Sequence, residues 1–149
     1  MTISNDKGIG AASVRLSKKI TRLINLFLKP YNITTEQWSV LRTLHETDDI
    51  AQKDLSNRVD KDQATLTKIL DILEKNRFAE RISNPIDRRS YLIRITEKGR
   101  KLVGEVTPYL ERIYDEMVKD IESEKIDIFK EVMLSLEGRI DYLFEEGNN

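Results

Sequence analysis

The side chains best suited to recognition chemistry lie close together in the middle of the chain. They are small, hydroxyl, amide and charged residues within one short stretch: Lys61, Asp62, Gln63, Ala64, Thr65, Thr67 and Lys68. Lysine can donate hydrogen bonds to guanine or phosphate, threonine can contact a base edge or a phosphate, and a small side chain lets the backbone approach a base. Two arginines, Arg88 and Arg89, follow in a turn-forming segment. These residue types favour contact with a polyanion.

Residues for covalent or metal chemistry are scarce. The sequence contains no cysteine, which excludes disulfides, thiolate nucleophiles, cysteine-ligated zinc and cysteine redox sensing. His45 is the only histidine, and it has no companions at metal-ligand spacing. The sequence also lacks a glycine-rich phosphate loop and any supported Ser/His/Asp arrangement. We therefore expect a protein that is not an enzyme and that needs no metal or cofactor.

Charge is distributed unevenly along the chain. The formal net charge is −1, but residues 50–100 carry 12 basic and 8 acidic side chains, whereas residues 101–149 carry 6 and 13. A basic middle segment can meet a polyanion, and an acidic C-terminal segment can face solvent or a partner. Charge alone does not decide the matter, because a strongly basic footprint is absent and ordinary surface variation would give a similar split.

The length and apolar content predict one domain with a buried core. The chain has 149 residues, of which 39% are hydrophobic. Its uncharged runs are far shorter than the ~20 residues of a membrane helix, and Met1–Gly10 lacks the apolar block of a signal peptide. We expect a cytoplasmic protein with no membrane partner, whose first ten residues fray around Gly8 and Gly10.

Helical signals dominate the first half of the chain. Apolar residues at helical spacing predict a helix over Val14–Leu28, which Pro30 ends. A capping box formed by Thr34 and Gln37 starts the second helix, and Gln52–Arg58 is a shorter third one. The fourth helix is predicted to begin with a second box, in which Asp60 and Gln63 are paired, and to end at Asn76, because Asn tolerates a left-handed backbone.

The third and fourth helices, joined by a tight turn, form a helix-turn-helix pattern. Two segments with period-two alternation follow, Phe78–Ser83 and Tyr91–Thr96, and the turn between them carries Arg88 and Arg89. The pattern predicts a hairpin wing with a basic tip. Such a wing can reach a minor groove while the second helix of the motif lies in a major groove.

Two long amphipathic helices are predicted at the C-terminal end. Thr96 caps the first, inside which Pro108 should produce a bend, and the second begins after Ser123. The second has an apolar stripe consisting of Phe129, Val132, Met133, Leu136, Ile140, Leu143 and Phe144. A winged helix-turn-helix has little need for two such helices, so they imply a partner, most economically a second copy of the chain. The alternative is that they fold back onto their own domain.

Several motifs together resemble the MarR family of bacterial winged helix-turn-helix transcription regulators. They are the run Ala64–Asn76, the following Arg81, the wing residues Asp87-Arg88-Arg89, the segment Ile95–Gly99 with its Thr-x-Lys-Gly, and the Gln37–Leu41 core. The likeness extends over nearly the whole chain. Asn76 stands where the family often has Gly. The resemblance implies a homodimer in which the first, fifth and sixth helices interweave.

The same resemblance assigns roles to individual residues. It implies DNA contacts at Asp62, Ala64, Thr65 and Lys68, and a wing arginine, Arg89, in the minor groove, with Arg88 on phosphate. Asp87 matches the acidic residue that supports the wing, which we expect to form a salt bridge with Arg89 or a nearby arginine, and Arg81 belongs to the same support. A small lipophilic or aromatic effector would bind between the lobe and the dimerisation helices, where the candidate residues are Trp38, Arg42, His45, Tyr109 and Ile113.

The resulting expectation is a mainly α fold with a small β-hairpin wing (α+β). Residues 1–149 form a single MarR-type domain, in which 33–99 are the winged helix-turn-helix lobe and 1–30 and 100–149 the helical dimerisation region. Its expected function is that of a homodimeric, sequence-specific regulator of transcription, a repressor that binds double-stranded DNA at a pseudo-palindromic operator and is released by an effector. The alternative is a winged-helix protein-interaction module that does not read DNA sequence, which the near-neutral total charge favours.

Overall fold

A computed structural model describes residues 2–47 and 49–149. Six α-helices and three strands are named in chain order: α1 Ala12–Leu28, α2 Thr35–Glu46, β1 Ile50–Ala51, α3 Gln52–Arg58, α4 Gln63–Lys75, β2 Ala79–Ser83, β3 Tyr91–Ile95, α5 Glu97–Val118 and α6 Ser123–Gly147. The fold is 72% helical with one small antiparallel sheet. The predicted fold class, mainly α with a β wing, is therefore confirmed.

The sheet has three strands in the order β1-β3-β2. β2 and β3 form the predicted hairpin, with Arg81 opposite Ile93. Ile50, in β1, pairs with Ile93 from the other side. The sequence did not indicate β1, because two residues are too few to show an alternating pattern. This short strand joins the helix-turn-helix to the base of the wing.

The core of the lobe is formed by the apolar faces of its helices and by one face of the sheet. Its fully buried side chains include Leu41, Leu44, Leu55, Leu66, Leu70, Leu73 and Ile93. The capping box at the start of α2 is present as predicted, since the Gln37 amide donates to Thr34 Oγ1 and the Thr34 amide donates to Gln37 Oε1. α3 has its predicted bounds, with Leu55 facing inward.

The start of α4 differs from the prediction. Asp60 has a left-handed backbone, with φ 52°, and lies in the turn before the helix. A helix N-cap requires an extended backbone, and Asp62 has it, with φ −67° and ψ 160°. The box pairing Asp60 with Gln63 is therefore wrong, and the N-cap of α4 lies two residues later than expected.

The end of α4 also differs by one residue. Asn76 has right-handed geometry, and Arg77 carries the left-handed backbone, with φ 65°. The Arg77 amide donates to Glu74 O at 3.0 Å and the Phe78 amide to Leu73 O at 2.9 Å. These two bonds form a Schellman motif, so the position that favours glycine is Arg77 rather than Asn76.

Thr96 and Gly99 fasten the start of α5 to the end of α4. Thr96 Oγ1 donates to Arg77 O at 2.6 Å and accepts from the Gly99 amide at 3.1 Å, which confirms the predicted cap. A Cβ on Gly99 would collide with Phe78 O and lie 2.7 Å from Ile95 Cγ1. The glycine of the Thr-x-Lys-Gly segment is thus required by a close approach between backbones.

The chain forms two compact units, residues 1–110 and 111–149. α5 runs from the first unit into the second and contains Pro108. Within α6, which the structure describes completely, no residue is buried. The predicted apolar stripe from Phe129 to Phe144 is accordingly exposed. At the other end, Asp6–Ala11 form an exposed π-helical turn that continues into α1, and the expectation that the first ten residues fray stays a prediction.

Candidate nucleic-acid interface

The outer face of α4 presents three exposed residues, Gln63, Ala64 and Lys68. The opposite face of the helix is buried in the core of the lobe. In the part of the chain that the structure describes, neither the Gln63 nor the Lys68 side chain has a hydrogen-bond or ion-pair partner. Their polar groups are free to contact a ligand, and the small Ala64 between them leaves room for close approach.

Asp62 caps the helix whose outer face these residues occupy. Its Oδ1 accepts a hydrogen bond from the Thr65 amide at 2.7 Å. Hydrogen bonds to the carboxylate, that from the Thr65 backbone first, lower the pKa of Asp62 below its ordinary value of 3.8. One carboxylate oxygen therefore fixes the first turn of α4, a role that the sequence analysis gave to Asp60.

Lys61 and Thr65 are less accessible than their neighbours. Lys61 lies before α4, its side chain is 19% exposed, and its Nζ is 3.7 Å from Glu36 Oε1. Thr65 is half-buried, and its amide is engaged by the cap. Of the residues proposed for DNA contact, these two are the least exposed.

Thr67 is held by a residue that the sequence analysis missed. The Gln52 side chain, at the start of α3, donates from Nε2 to Thr67 Oγ1 at 2.8 Å. Thr67 Oγ1 in turn donates to Gln63 O at 2.8 Å. The hydroxyl is therefore used to join the two helices of the motif. No local spacing could have revealed Gln52, because the contact depends on how α3 packs against α4.

Arg81 joins the base of the wing to α4. Its Nη2 donates to Asp71 Oδ1 at 2.8 Å and to Thr67 O at 3.3 Å, and its Nη1 is 3.5 Å from Glu74 Oε1. The side chain is only 18% exposed. The guanidinium thus fixes β2 relative to α4, which is the kind of support that the sequence analysis assigned to it.

The wing tip is ordered by its own hydrogen bonds. Asp87 Oδ1 accepts from the Arg89 amide at 3.0 Å, and Asp87 O accepts from the Ser90 amide at 3.1 Å. Within the described residues Asp87 forms no salt bridge, so the expected pairing with an arginine side chain is wrong. The carboxylate shapes the turn through the backbone instead, which leaves Arg88 and Arg89 exposed and their side chains unpaired in that same part of the chain.

A second ion pair fastens the segment before β1 to the sheet. Arg94 contacts Asp49 through two hydrogen bonds, Nε to Oδ1 at 2.8 Å and Nη2 to Oδ2 at 2.6 Å. The bond from Arg94 lowers the pKa of Asp49, and the Asp49 carboxylate raises the pKa of Arg94. Arg94 Nη1 also lies 3.9 Å from Glu80 Oε1. Residues so distant in sequence give no motif, and this pair was not predicted.

The residues proposed for an effector site have different environments. Trp38 is a core residue, 4% exposed, whereas Arg42 and His45 on the same helix are exposed. Tyr109 lies against two aromatic rings, with centroids 6.1 Å from Phe27 and 5.7 Å from Tyr31. Ile113, which belongs to the second unit, is half-buried. An effector site among these residues stays a prediction.

Among the described residues no group of three or more potential ligand side chains is arranged to hold a metal ion. None of the described helices is long and apolar enough to cross a membrane.

Comparison with known proteins matches residues 33–91 to the MarR family model. The chain is 29% identical over 110 residues to YsmB of Bacillus subtilis (strain 168), an HTH-type transcriptional regulator, and the match covers 74% of this chain and 75% of YsmB.

Solved structures of the same fold include two bound to DNA. A mutant MarR from E. coli complexed with operator DNA has a TM-score of 0.81 at 23% identity, covering 91% of this chain and 99% of that one. The MepR-DNA complex of S. aureus also gives 0.81, at 20% identity, covering 88% and 97%. A MarR/EmrR family regulator from Acinetobacter sp. ADP1 gives 0.82 at 19% identity, covering 94% and 99%.

The residues matched by the family model, 33–91, include α2, β1, α3, α4 and the hairpin as far as the start of β3. The resemblance to MarR family regulators inferred from the sequence motifs is thereby supported over residues 33–91, the part of the chain that the family model matches.

Proposed function

We propose that this protein is a homodimeric, sequence-specific DNA-binding regulator that represses transcription from a pseudo-palindromic operator. The observation that carries the proposal is the free polar surface of the lobe. Gln63 and Lys68 on α4, and Arg88 and Arg89 on the wing, are exposed and have no side-chain partner among the described residues. Arg81 holds the two elements together. A helix with free donors beside a basic wing matches what major-groove and minor-groove contact require.

The named complexes of the family support DNA as the ligand. A MarR from E. coli has been solved with operator DNA and MepR from S. aureus with DNA, and both share the fold of this chain. By analogy, α4 would enter the major groove. Lys68 and Gln63 would donate to base edges or phosphate, Arg89 would enter the minor groove, and Arg88 would contact phosphate.

The exposed stripe of α6 supports a homodimer. Large apolar side chains such as Phe129, Met133, Leu136 and Ile140 face solvent in the single chain. Removing such surface from water contributes about 25 cal/mol per Å², and a second copy offers the same surface. A two-fold dimer would place two α4 helices in major grooves about 34–36 Å apart, which requires a two-fold operator.

In this proposal a small lipophilic or aromatic effector would release the dimer from the operator by binding at an apolar surface. The aromatic group formed by Phe27, Tyr31 and Tyr109 is an apolar surface that a flat lipophilic molecule could join. Such a ligand would lower DNA affinity only if it bound more tightly to a form of the dimer that does not fit the operator. Fluorescence titration with small aromatic acids, followed by the same titration on operator-bound dimer, tests this point.

The decisive experiment is selection of binding sites from a randomised duplex library with the purified protein. The selected duplex and a scrambled duplex are then titrated at two salt concentrations. We expect a two-fold sequence to be enriched and to bind much more tightly than the scrambled one. Its binding should weaken at high salt, because the release of counterions from DNA is then less favourable. Absence of enrichment and of salt-dependent binding would instead favour a module that binds a protein partner.

Two substitutions test the assigned contacts. Lys68→Ala is expected to cost about 1–3 kcal/mol on the selected duplex if the lysine contacts a base, whereas an equal loss on both duplexes would assign it to phosphate. Arg89→Ala should weaken operator binding and relax preference at the flanking base pairs. Lys119→Ala, which removes an exposed cation outside the lobe that is paired with Glu116, is the control and should leave affinity unchanged.

A further inference from the structure

The tip of the wing ends in two apolar residues, Pro85 and Ile86. Both are exposed, and Ile86 is 95% exposed, more than any other large apolar side chain in the described residues. Single apolar side chains on a surface are ordinary. Ile86 lies in the turn between β2 and β3 with almost its whole surface in water, so it has no role in the core.

The turn holds Ile86 in a defined position. The Ile86 amide donates to Asn84 Oδ1 at 3.0 Å, and Asn84 Nδ2 donates to Ser90 Oγ at 3.1 Å across the turn. Pro85 restricts the backbone between them. Asp87 closes the other side through the Arg89 amide. The apolar tip is therefore presented by a preorganised turn, so little conformational entropy is lost when it contacts a ligand.

The surroundings of the tip indicate the chemistry of its ligand. Arg88 and Arg89 follow immediately and are exposed, and no acidic side chain other than Asp87 lies in the turn. Two cations beside an exposed apolar side chain suit a ligand in which an apolar surface is flanked by phosphates. The minor groove of DNA has this arrangement, with sugars and base-pair edges between two phosphate backbones, and isoleucine and proline are among the side chains that enter it as wedges.

We propose that Ile86, with Pro85 beside it, is an apolar wedge that enters the minor groove at the outer edge of each half-site and partly unstacks a base step. This proposal rests on the function proposed above. The arginines would hold the wing by charge, while Ile86 would add a contact that does not depend on salt. Because pyrimidine-purine steps unstack most easily, the wedge would favour TA or CA/TG at the contacted step.

The test uses the full-length dimer and the duplex obtained by selection, with Ile86→Ser and Ile86→Leu as paired variants. Serine removes the apolar surface and leucine keeps it. We expect Ile86→Ser to bind about fivefold to tenfold more weakly and Ile86→Leu to bind within about twofold of the parent chain. The slope of affinity against salt should be the same for all three proteins, since no cation is removed.

A second readout reports the wedge directly. The adenine analogue 2-aminopurine, placed at the flanking step, gains fluorescence when it unstacks. The parent protein and Ile86→Leu should raise this fluorescence, and Ile86→Ser should not. Equal affinity and equal fluorescence for Ile86→Ser and the parent chain would overturn the wedge while leaving DNA recognition intact. Failure of the parent chain to bind any duplex would overturn the proposed function instead. Because Ile86 is exposed, all three proteins should unfold at the same denaturant concentration.

Discussion

Replacing Arg77 by glycine should stabilise the protein, although it removes a whole side chain. Arg77 occupies the left-handed position after α4, with φ 65°. A left-handed backbone costs a non-glycine residue roughly 1–2 kcal/mol. Glycine avoids that cost. However, its greater conformational freedom in the unfolded chain lowers the free energy of unfolding by about 0.5–1 kcal/mol. The expected net gain in the free energy of unfolding is about 0.5–1 kcal/mol.

The hydrogen bonds around this residue do not depend on its side chain. The Arg77 amide and carbonyl are bonded to Glu74 O and Thr96 Oγ1, and both bonds are retained by glycine. The Arg77 side chain is exposed and forms no ion pair among the described residues. Arg77→Ala is therefore the matched control, because it removes the same side chain but keeps the backbone cost, and it should change stability little.

Urea unfolding followed by circular dichroism measures the difference. For a slope of about 2 kcal/mol per molar urea, Arg77→Gly should raise the midpoint by about 0.3–0.5 M, with the slope unchanged. All proteins are compared at one protein concentration, since the stability of the proposed dimer would depend on it. A lower midpoint for Arg77→Gly, or an equal rise for Arg77→Ala, would refute the assignment of the left-handed backbone as the source of the cost.

Three further predictions concern other contacts of the lobe. Gly99→Ala should lower the free energy of unfolding by about 1–3 kcal/mol, because the new Cβ meets Phe78 O; a thermal melt that is unchanged would contradict the close approach. Asp62→Asn keeps a capping side chain but removes the carboxylate, whose folded pKa lies below the ordinary 3.8. The charged form stabilises the folded state, so its contribution is complete above that value and lost as the pH falls through the folded pKa. The stability of the parent relative to Asp62→Asn should therefore decrease on acidification, and parallel pH profiles of the two proteins would show that the cap is insensitive to charge. Arg81→Ala should lower the free energy of unfolding in urea by about 1–3 kcal/mol and should weaken operator binding. If stability is lost but operator affinity is retained, DNA binding does not require that Arg81 hold the wing against α4.

Features that depend on neighbouring residues could be predicted from the sequence. The capping box of Thr34 and Gln37, the bounds of α3 and the hairpin all follow from spacings of a few residues. The start of α4 could not be predicted as reliably, because Asp60 and Asp62 both offer a plausible cap at nearly the same place. The left-handed backbone of Asp60 decides between them, and that conformation depends on how the turn is packed.

The residues of the candidate site could be proposed from their types and motifs, but the contacts that they form could not. The sequence motifs associated Arg81 with the wing, but its contacts to Asp71 and Glu74 on α4 become visible only in the folded lobe. The pair of Arg94 and Asp49 spans 45 residues, so no local pattern could suggest it. Asp87 acts on a backbone amide rather than on a side chain, because the tight turn brings that amide closer than either guanidinium.

The exposed outer face of α4 bears on which residues can be substituted during evolution. Gln63, Ala64 and Lys68 are exposed, and the Gln63 and Lys68 side chains form no hydrogen bond or ion pair in the described chain, so substitutions there should have little effect on folding, as is usual for surface positions. If these residues contact DNA as proposed, such substitutions would change the recognised sequence. Thr67 and Asp62, a residue or two away, are tied to Gln52 and to the helix start. Under the proposed function, new operator preferences would therefore arise by single substitutions at these three positions, while Asp62 and Thr67 would be retained because they stabilise the helix-turn-helix.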